Sequence, residues 1–259
     1  MNVKKGVKNI VYSLLAQAVT LVLGIIIPRL VIVSYGSEMN GLLSSVKQVI
    51  GYLALLEAGV GAAALQALYR PISEENKEGT NAIVSATHYY YRRTGIAYLF
   101  LMVALSFVYP IVISSKLNYW LMVSITFITG LPNVITYFFQ GKLNIFLNAV
   151  GDSYIITNLS LITNTLASVT KILLLLAGAN IIFVQTIYCV VSIVHLAFVY
   201  IYVKVKYPWV SVKCKPDVAA LSQKNSTLIH QICGLVTKST DTLVLSIFCG
   251  LEVASIYAV

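Results

Sequence analysis

The sequence predicts an all-α polytopic membrane protein: a six-helix N-terminal bundle, then the first one to two helices of a second bundle. Three observations carry that reading. Of 259 residues, 58% are hydrophobic and 10% charged, where a soluble domain holds about 25% charged residues. Apolar runs of the roughly 20 residues needed to span hydrocarbon recur along the chain. The cationic residues fall in alternate connections between those runs, the pattern that sets orientation in a membrane. The net charge of +9 is therefore assigned to loops on one membrane face, and nucleic acid is not an expected partner.

The first expected span is 10–33. The opening "MNVKKGVKNIVYSLLAQ" has the basic start of a secretory signal. Its apolar stretch is too long, however, and no small-residue cleavage site follows, so it reads as a retained helix. Ser13, Gln17, Thr20 and Gly24 form a polar stripe along it. The same span contains Pro28 and Arg29 within "LVLGIIIPRLVIVSYG". An interior Pro removes a helical hydrogen bond, and Arg at mid-membrane costs roughly 2.5–3.5 kcal/mol on the insertion scale. Together they are expected to bend the helix and bring a guanidinium into a cavity, although an ideal helix points Arg29 about 140° away from Gly24.

The second span, 42–68, carries Lys47 and Glu57. They lie about 80° apart on an ideal helix, so their pairing is not supported. Lys47 near the outer end is equally readable as a snorkelling side chain. The "GVGAAA" of 59–64 satisfies a dinucleotide-binding pattern, but no strand precedes it, and it reads as a small-residue packing surface. A polar segment over 69–93 is expected to carry an interfacial helix. It leads into the third span, 96–114, which has almost nothing polar beyond Ser106 and is expected to face lipid.

Later spans are striped. Thr126, Thr129, Asn133, Thr136 and Gln140 fall at steps of three and four along the fourth, 120–139. The fifth, 154–177, repeats this with Thr157, Ser160, Asn164, Ser168 and Lys171. The sixth, 181–203, offers Gln185, Tyr188, Ser192 and His195. The seventh, 226–249, offers Thr227, Gln231, Gly234, Lys238 and Asp241. An eighth apolar run opens at Val253 and is still open at Val259, so the chain is expected to continue. The expected domains are a bundle at 1–203, a cytoplasmic linker at 204–225 and the start of a second bundle at 226–259.

Lys4, Lys5 and Lys8 precede the first span. Arg70, Lys77, Arg92, Arg93, Lys142, Lys204, Lys206, Lys213, Lys215 and Lys224 share its side, while Lys116 stands alone on the other. The N-terminus is therefore expected in the cytoplasm. Tyr119, Trp120, Tyr207 and Trp209 sit where interfacial aromatics belong.

Hydrogen bonding between helices, at about 0.6 kcal/mol per pair, accounts for any single polar stripe. Five together favour a shared aqueous cavity. Arg29, Lys47, Lys171 and Lys238 make it cationic and suit an anionic substrate, a planar guanidinium matching phosphate best. Glu57 and Asp241 are the acidic residues inside, candidates for ion coupling or charge pairing, and Asp241 stands three residues from Lys238. Gln17, Asn133, Gln140, Asn164, His195 and Gln231 are expected to line the cavity. The four cysteines lack metal or disulfide spacing, and the histidines at 88, 195 and 230 are scattered. Neither a nucleophile triad nor a phosphate-binding loop is present, so no enzyme activity, cofactor or metal is expected.

"YGSEMNG" after the first span and "CGLEVAS" after the seventh share Gly-x-Glu, with Gly36 and Gly250 214 positions apart. Six intervening spans give the copies one orientation, as in parallel transporter repeats. The stretch "YGSEMNGLLSSVKQVIGYLALLEAGVGAAALQALYRPISEEN" over 35–76, the preceding "IIPRL" and the final "STDTLVLSIFCGLEVASIYAV" resemble the polysaccharide-export flippases of the MOP superfamily. The resemblance covers this chain and the first of a family member's two bundles. It implies a substrate of undecaprenyl-diphosphate-linked glycan, flipped by alternating access in the bacterial cytoplasmic membrane. It also implies contact with membrane lipids, a glycan polymerase and assembly proteins, and it places Arg29 where such flippases carry a first-helix Arg. A multidrug or ion-coupled exporter of the same superfamily is the alternative. A membrane glycan polymerase or ligase is third, since the outward loops are short.

Overall fold

The computed structural model describes residues 3–53, 55–113, 115–221 and 244–257. Every regular element among them is helical. Helix α1 runs Val3–Tyr35, α2 Ser37–Leu53, α3 Leu55–Ser73, α4 Lys77–Val112, α5 Tyr119–Ile135, α6 Gly141–Ala149, α7 Ser153–Leu176 and α8 Ile181–Lys206. Residues 244–248 are helical, and a short helix follows at Leu251–Tyr257. Four stretches are long and apolar enough to cross a membrane: Lys77–Val112, Tyr119–Ala149, Ser153–Leu176 and Ile181–Lys206. Helix α1 adds the shorter apolar stretch Thr20–Tyr35.

Two boundaries differ from those expected. Within the 42–68 span, the residues before and after position 54 pack on different partners. Helix α2 lies against α1, α5 and the Leu251–Tyr257 helix, and α3 against α4 and α6. The expected interfacial helix and third span are one continuous helix, α4. Asn76 caps it by accepting from Gly79 N at 2.9 Å, and no Pro interrupts the ladder before Pro110. The fourth span runs on to Ala149, its helix passing through Pro132. That residue lacks an N–H and leaves the carbonyl of Ile128 without its helical donor, and the Cys189 thiol donates to it at 3.4 Å. A π-helical turn at Thr136–Gln140 follows, then α6.

The third span is exposed on one side only. Phe100, Val103, Phe107 and Ile111 of α4 are exposed, while Tyr98, Met102, Ser106 and Tyr109 are buried. A residue every three or four positions keeps the second set on one face.

Two apolar cores stack along the bundle. One gathers Val60, Leu68, Val84, Tyr91, Tyr98, Phe146 and Val203 around α3, α4, α6 and the end of α8. The other gathers Val31, Leu42, Val46, Tyr109, Ile125, Leu175 and Val184 around α1, α2 and the far halves of α4, α5, α7 and α8. Between them α7 and α8 present Thr163, Ser168, Lys171, Gln185 and His195, all buried.

The loops sort to two ends. At one, the Tyr35 hydroxyl donates to Ala179 O. There Glu38 also accepts from the Ser115 hydroxyl at 3.1 Å and Lys116 N at 2.8 Å. At the other, Asn81 holds Trp209 O and Ser211 N, each at 3.0 Å, and Asp217 N reaches Ala82 O. The expected linker is thus packed on the bundle as far as Leu221, which is itself buried in the first core.

Candidate functional site

The polar layer between the cores is built by α7 and α8. Helical spacing on α7 puts Thr163, Ala167, Ser168, Lys171 and Leu175 on its buried face. Facing them, His195 Nδ1 lies 3.2 Å from the Thr163 hydroxyl, and Ser168 bonds Tyr188. Lys171 is 5% exposed, with its ammonium 5.3 Å above the Tyr188 ring. Lys47 of α2 is exposed and close enough for its charge to act on Lys171. No carboxylate among the described residues acts on Lys171. The structure therefore brings Lys47 close to Lys171, while Gln185 and His195 are buried at other levels of α8, His195 beside Thr163.

It places the others elsewhere. The fourth-span stripe turns inward: Thr126, Thr129 and Thr136 return their hydroxyls to Met122, Ile125 and Pro132 of their own helix. Asn133 donates to the Tyr98 hydroxyl at 3.2 Å, and Gln140 is buried. These side chains pack helices together. Asn164 and Gln17 are exposed. Arg29 is exposed as well, on a face of α1 that it shares with Ile25 and Val33, one turn away on either side. Among the described residues no hydrogen bond or ion pair joins Arg29 to the polar layer. Gln231, Lys238 and Asp241 lie outside the described residues.

Glu57 sits in an aromatic pocket rather than beside Lys47. The Tyr91 hydroxyl donates to it. Tyr137 packs on Tyr91 at 6.2 Å and on Tyr98 at 4.9 Å. Gly61 leaves this pair its space, since a Cβ there would lie 3.3 Å from both Glu57 Oε1 and the Tyr91 oxygen. The small residues of 59–64 thus serve close packing.

Asp152 was not singled out by the sequence. Its carboxylate is fully buried at the turn before α7, where it accepts from Lys206 Nζ at 2.5 Å, Tyr207 at 2.7 Å and Tyr202 at 3.2 Å. Burial first, and then the bond to Asp152, push the Tyr207 hydroxyl up to about 12. Phe146 stacks edge-on against Tyr207 and Trp209, at 5.1 and 5.9 Å. A lone Asp in a Gly-Asp turn carries no sequence signal of such a role, because its three donors lie 50 or more residues away.

At the opposite end, Gly36 and Gly250 both have left-handed backbones, φ +89° and +86°. Each ends one helix and starts another, which gives the two Gly-x-Glu segments the same local geometry. The second helices meet: Asn40 Nδ2 donates to Ser255 Oγ at 2.9 Å, and Gly41 lies against the Leu251 backbone. No family model, curated protein or solved structure matches this chain.

Proposed function

We propose that this chain belongs to a flippase that moves lipid-diphosphate-linked oligosaccharide units across the bacterial cytoplasmic membrane for surface polysaccharide synthesis. The observation that carries the reading is Lys171. An ammonium at 5% exposure within the bundle, with a second cation beside it and no described carboxylate acting on it, is costly in a membrane unless an anion completes it. The diphosphate of an undecaprenyl-linked glycan supplies that charge.

The remaining features fit the same proposal. The end that holds Asp152 carries Lys77, Lys204, Lys206, Lys213 and Lys215, and the other end Lys116. Positive charge facing the cytoplasm puts the N-terminus there. Residues 1–203 form the first bundle, 204–225 the cytoplasmic linker, and 226–259 open the second. Contact between α2 and the Leu251–Tyr257 helix closes the outer end, and alternating access opens it about the two glycine junctions. Membrane lipids, a glycan polymerase and assembly proteins are the neighbours such a flippase requires.

The test is surface polysaccharide in a knockout complemented with Lys171→Gln or Lys47→Gln, normalised to protein in the membrane. Loss of polymer, with lipid-linked units retained on the inner leaflet, is expected. Full polymer from Lys171→Gln would defeat the proposal. A second reading, an ion-coupled exporter of the same superfamily, is favoured by Glu57 and its Tyr91 donor. Drug efflux that falls with Glu57→Gln while polysaccharide is unchanged would select it.

A further inference from the structure

We propose that His88, Arg92 and Lys142 form a second anion site, specific for phosphate groups, where the beginning of α6 meets α4. It lies outside the Lys47–Lys171 layer and does not depend on that reading.

The site follows from two features of the sequence. Ser85, His88 and Arg92 are spaced by three and four and share one face of α4. The π-helical turn before α6 ends at Gly141, which packs on the Tyr91 ring so closely that a Cβ would lie 2.6 Å from a ring carbon. That approach sets Lys142 beside His88, with Nζ 3.1 Å from Nδ1. An ammonium has no lone pair, so Lys142 donates. Nδ1 must then accept, and the ring proton sits on Nε2. Among the described residues nothing accepts from that N–H.

Arg92 is exposed and close enough for its charge to act on His88. Arg93 is engaged elsewhere, stacked 4.6 Å over Tyr89. Lys142 is half-buried, and no carboxylate among the described residues acts on it or on His88. One turn before His88, the Ser85 hydroxyl is buried without a partner. The face therefore presents an ammonium, an imidazole N–H, a guanidinium and a hydroxyl, all donors, and no described acceptor carboxylate. Two cations flank one imidazole with no described counter-charge, and a multivalent anion complements both. A phosphate or diphosphate matches the fork of Arg92 and the flanking single donors. Such a group comes either from an isoprenyl diphosphate or from an anionic phospholipid headgroup.

The experiment measures binding of the purified full-length protein to liposomes. One set contains undecaprenyl diphosphate in neutral lipid, another phosphatidylglycerol. Arg92→Gln and Lys142→Gln are each expected to weaken binding about tenfold, the effect of one charge-assisted hydrogen bond. Lys142→Arg is expected to retain binding. Arg92 is exposed, so its variant tests the site without disturbing the fold. Loss confined to the diphosphate liposomes assigns the site to the isoprenyl diphosphate, and loss on phosphatidylglycerol assigns it to a headgroup. Lys171→Gln in parallel reports on the other site, so failure of either is read apart. Unchanged binding to both liposomes by folded Arg92→Gln and Lys142→Gln proteins would overturn the proposal.

Discussion

Gly41 is where one methyl group has the largest consequence. Helix α2 approaches the Leu251–Tyr257 helix so closely that a Cβ at position 41 would sit 2.7 Å from the Leu251 carbonyl carbon, and nearer still to its oxygen. Ordinary carbon contacts lie at about 3.5–4.0 Å, so Gly41→Ala must drive the helices about 1 Å apart. Overpacking of this kind costs about 1–3 kcal/mol. The separation also breaks the 2.9 Å bond from Asn40 to Ser255, worth about 1 kcal/mol. The sum, about 2–4 kcal/mol, disfavours the closed contact roughly 30- to 900-fold. The assay places cysteines by Asn40→Cys and Ser255→Cys in a background without the native four, where the bond is gone and the overpacking of about 1–3 kcal/mol acts alone, and cross-links membranes with a short bifunctional thiol reagent. High yield is expected in the parent and little after Gly41→Ala, at equal membrane abundance. Undiminished yield would refute both the tight approach and its role as the closed end of an alternating-access path.

Other expectations follow from the two ends and the first helix. Asp152→Asn leaves Lys206 without its carboxylate, and because that lysine is 39% exposed the loss should fall near the lower end of the about 3–5 kcal/mol range for broken buried pairs. Denaturation in detergent measures it, and a change below about 1 kcal/mol would rule out a structural hub. The Tyr207 hydroxyl is raised to about 12 from about 10 unfolded. Its contribution is therefore complete below pH 10 and lost as pH rises through 12. Thermal stability should show an alkaline fall that Tyr207→Phe removes, and an unaltered fall in that variant would exclude the linkage. Arg29 lies exposed and away from the polar layer, so Arg29→Lys should leave surface polysaccharide near normal at normal membrane abundance. A large drop would place its guanidinium on the substrate path after all.

Much of the architecture is written in local pattern. Apolar length and charged loops give the helices and their sorting to two ends, because each depends on neighbours within a turn or two. Helix-breaking residues are also legible, although their outcome is less so. Pro132 stands inside α5, and the Ile128 carbonyl that it leaves without a helical donor is taken up by Cys189, 61 positions further along. The polar stripe of α5 is a similar case. Its spacing shows that Thr126, Asn133 and Gln140 share a face, but spacing cannot say whether water or Tyr98 lies opposite.

By itself the sequence determined an all-helical chain with several membrane-length segments, the repeated Gly-x-Glu at Gly36 and Gly250, and the polar face that holds Lys171. Only the tertiary structure decided which charges meet. It joined Asp152 to Lys206 across 54 positions, His88 to Lys142 across another 54, and Glu57 to Tyr91 across 34. It left Arg29 on an exposed face. The physical reason is range. A helix is specified by contacts three and four residues apart, whereas the field at a buried charge is set by whichever helices the packing of small residues, such as Gly41, Gly61 and Gly141, allows to come close.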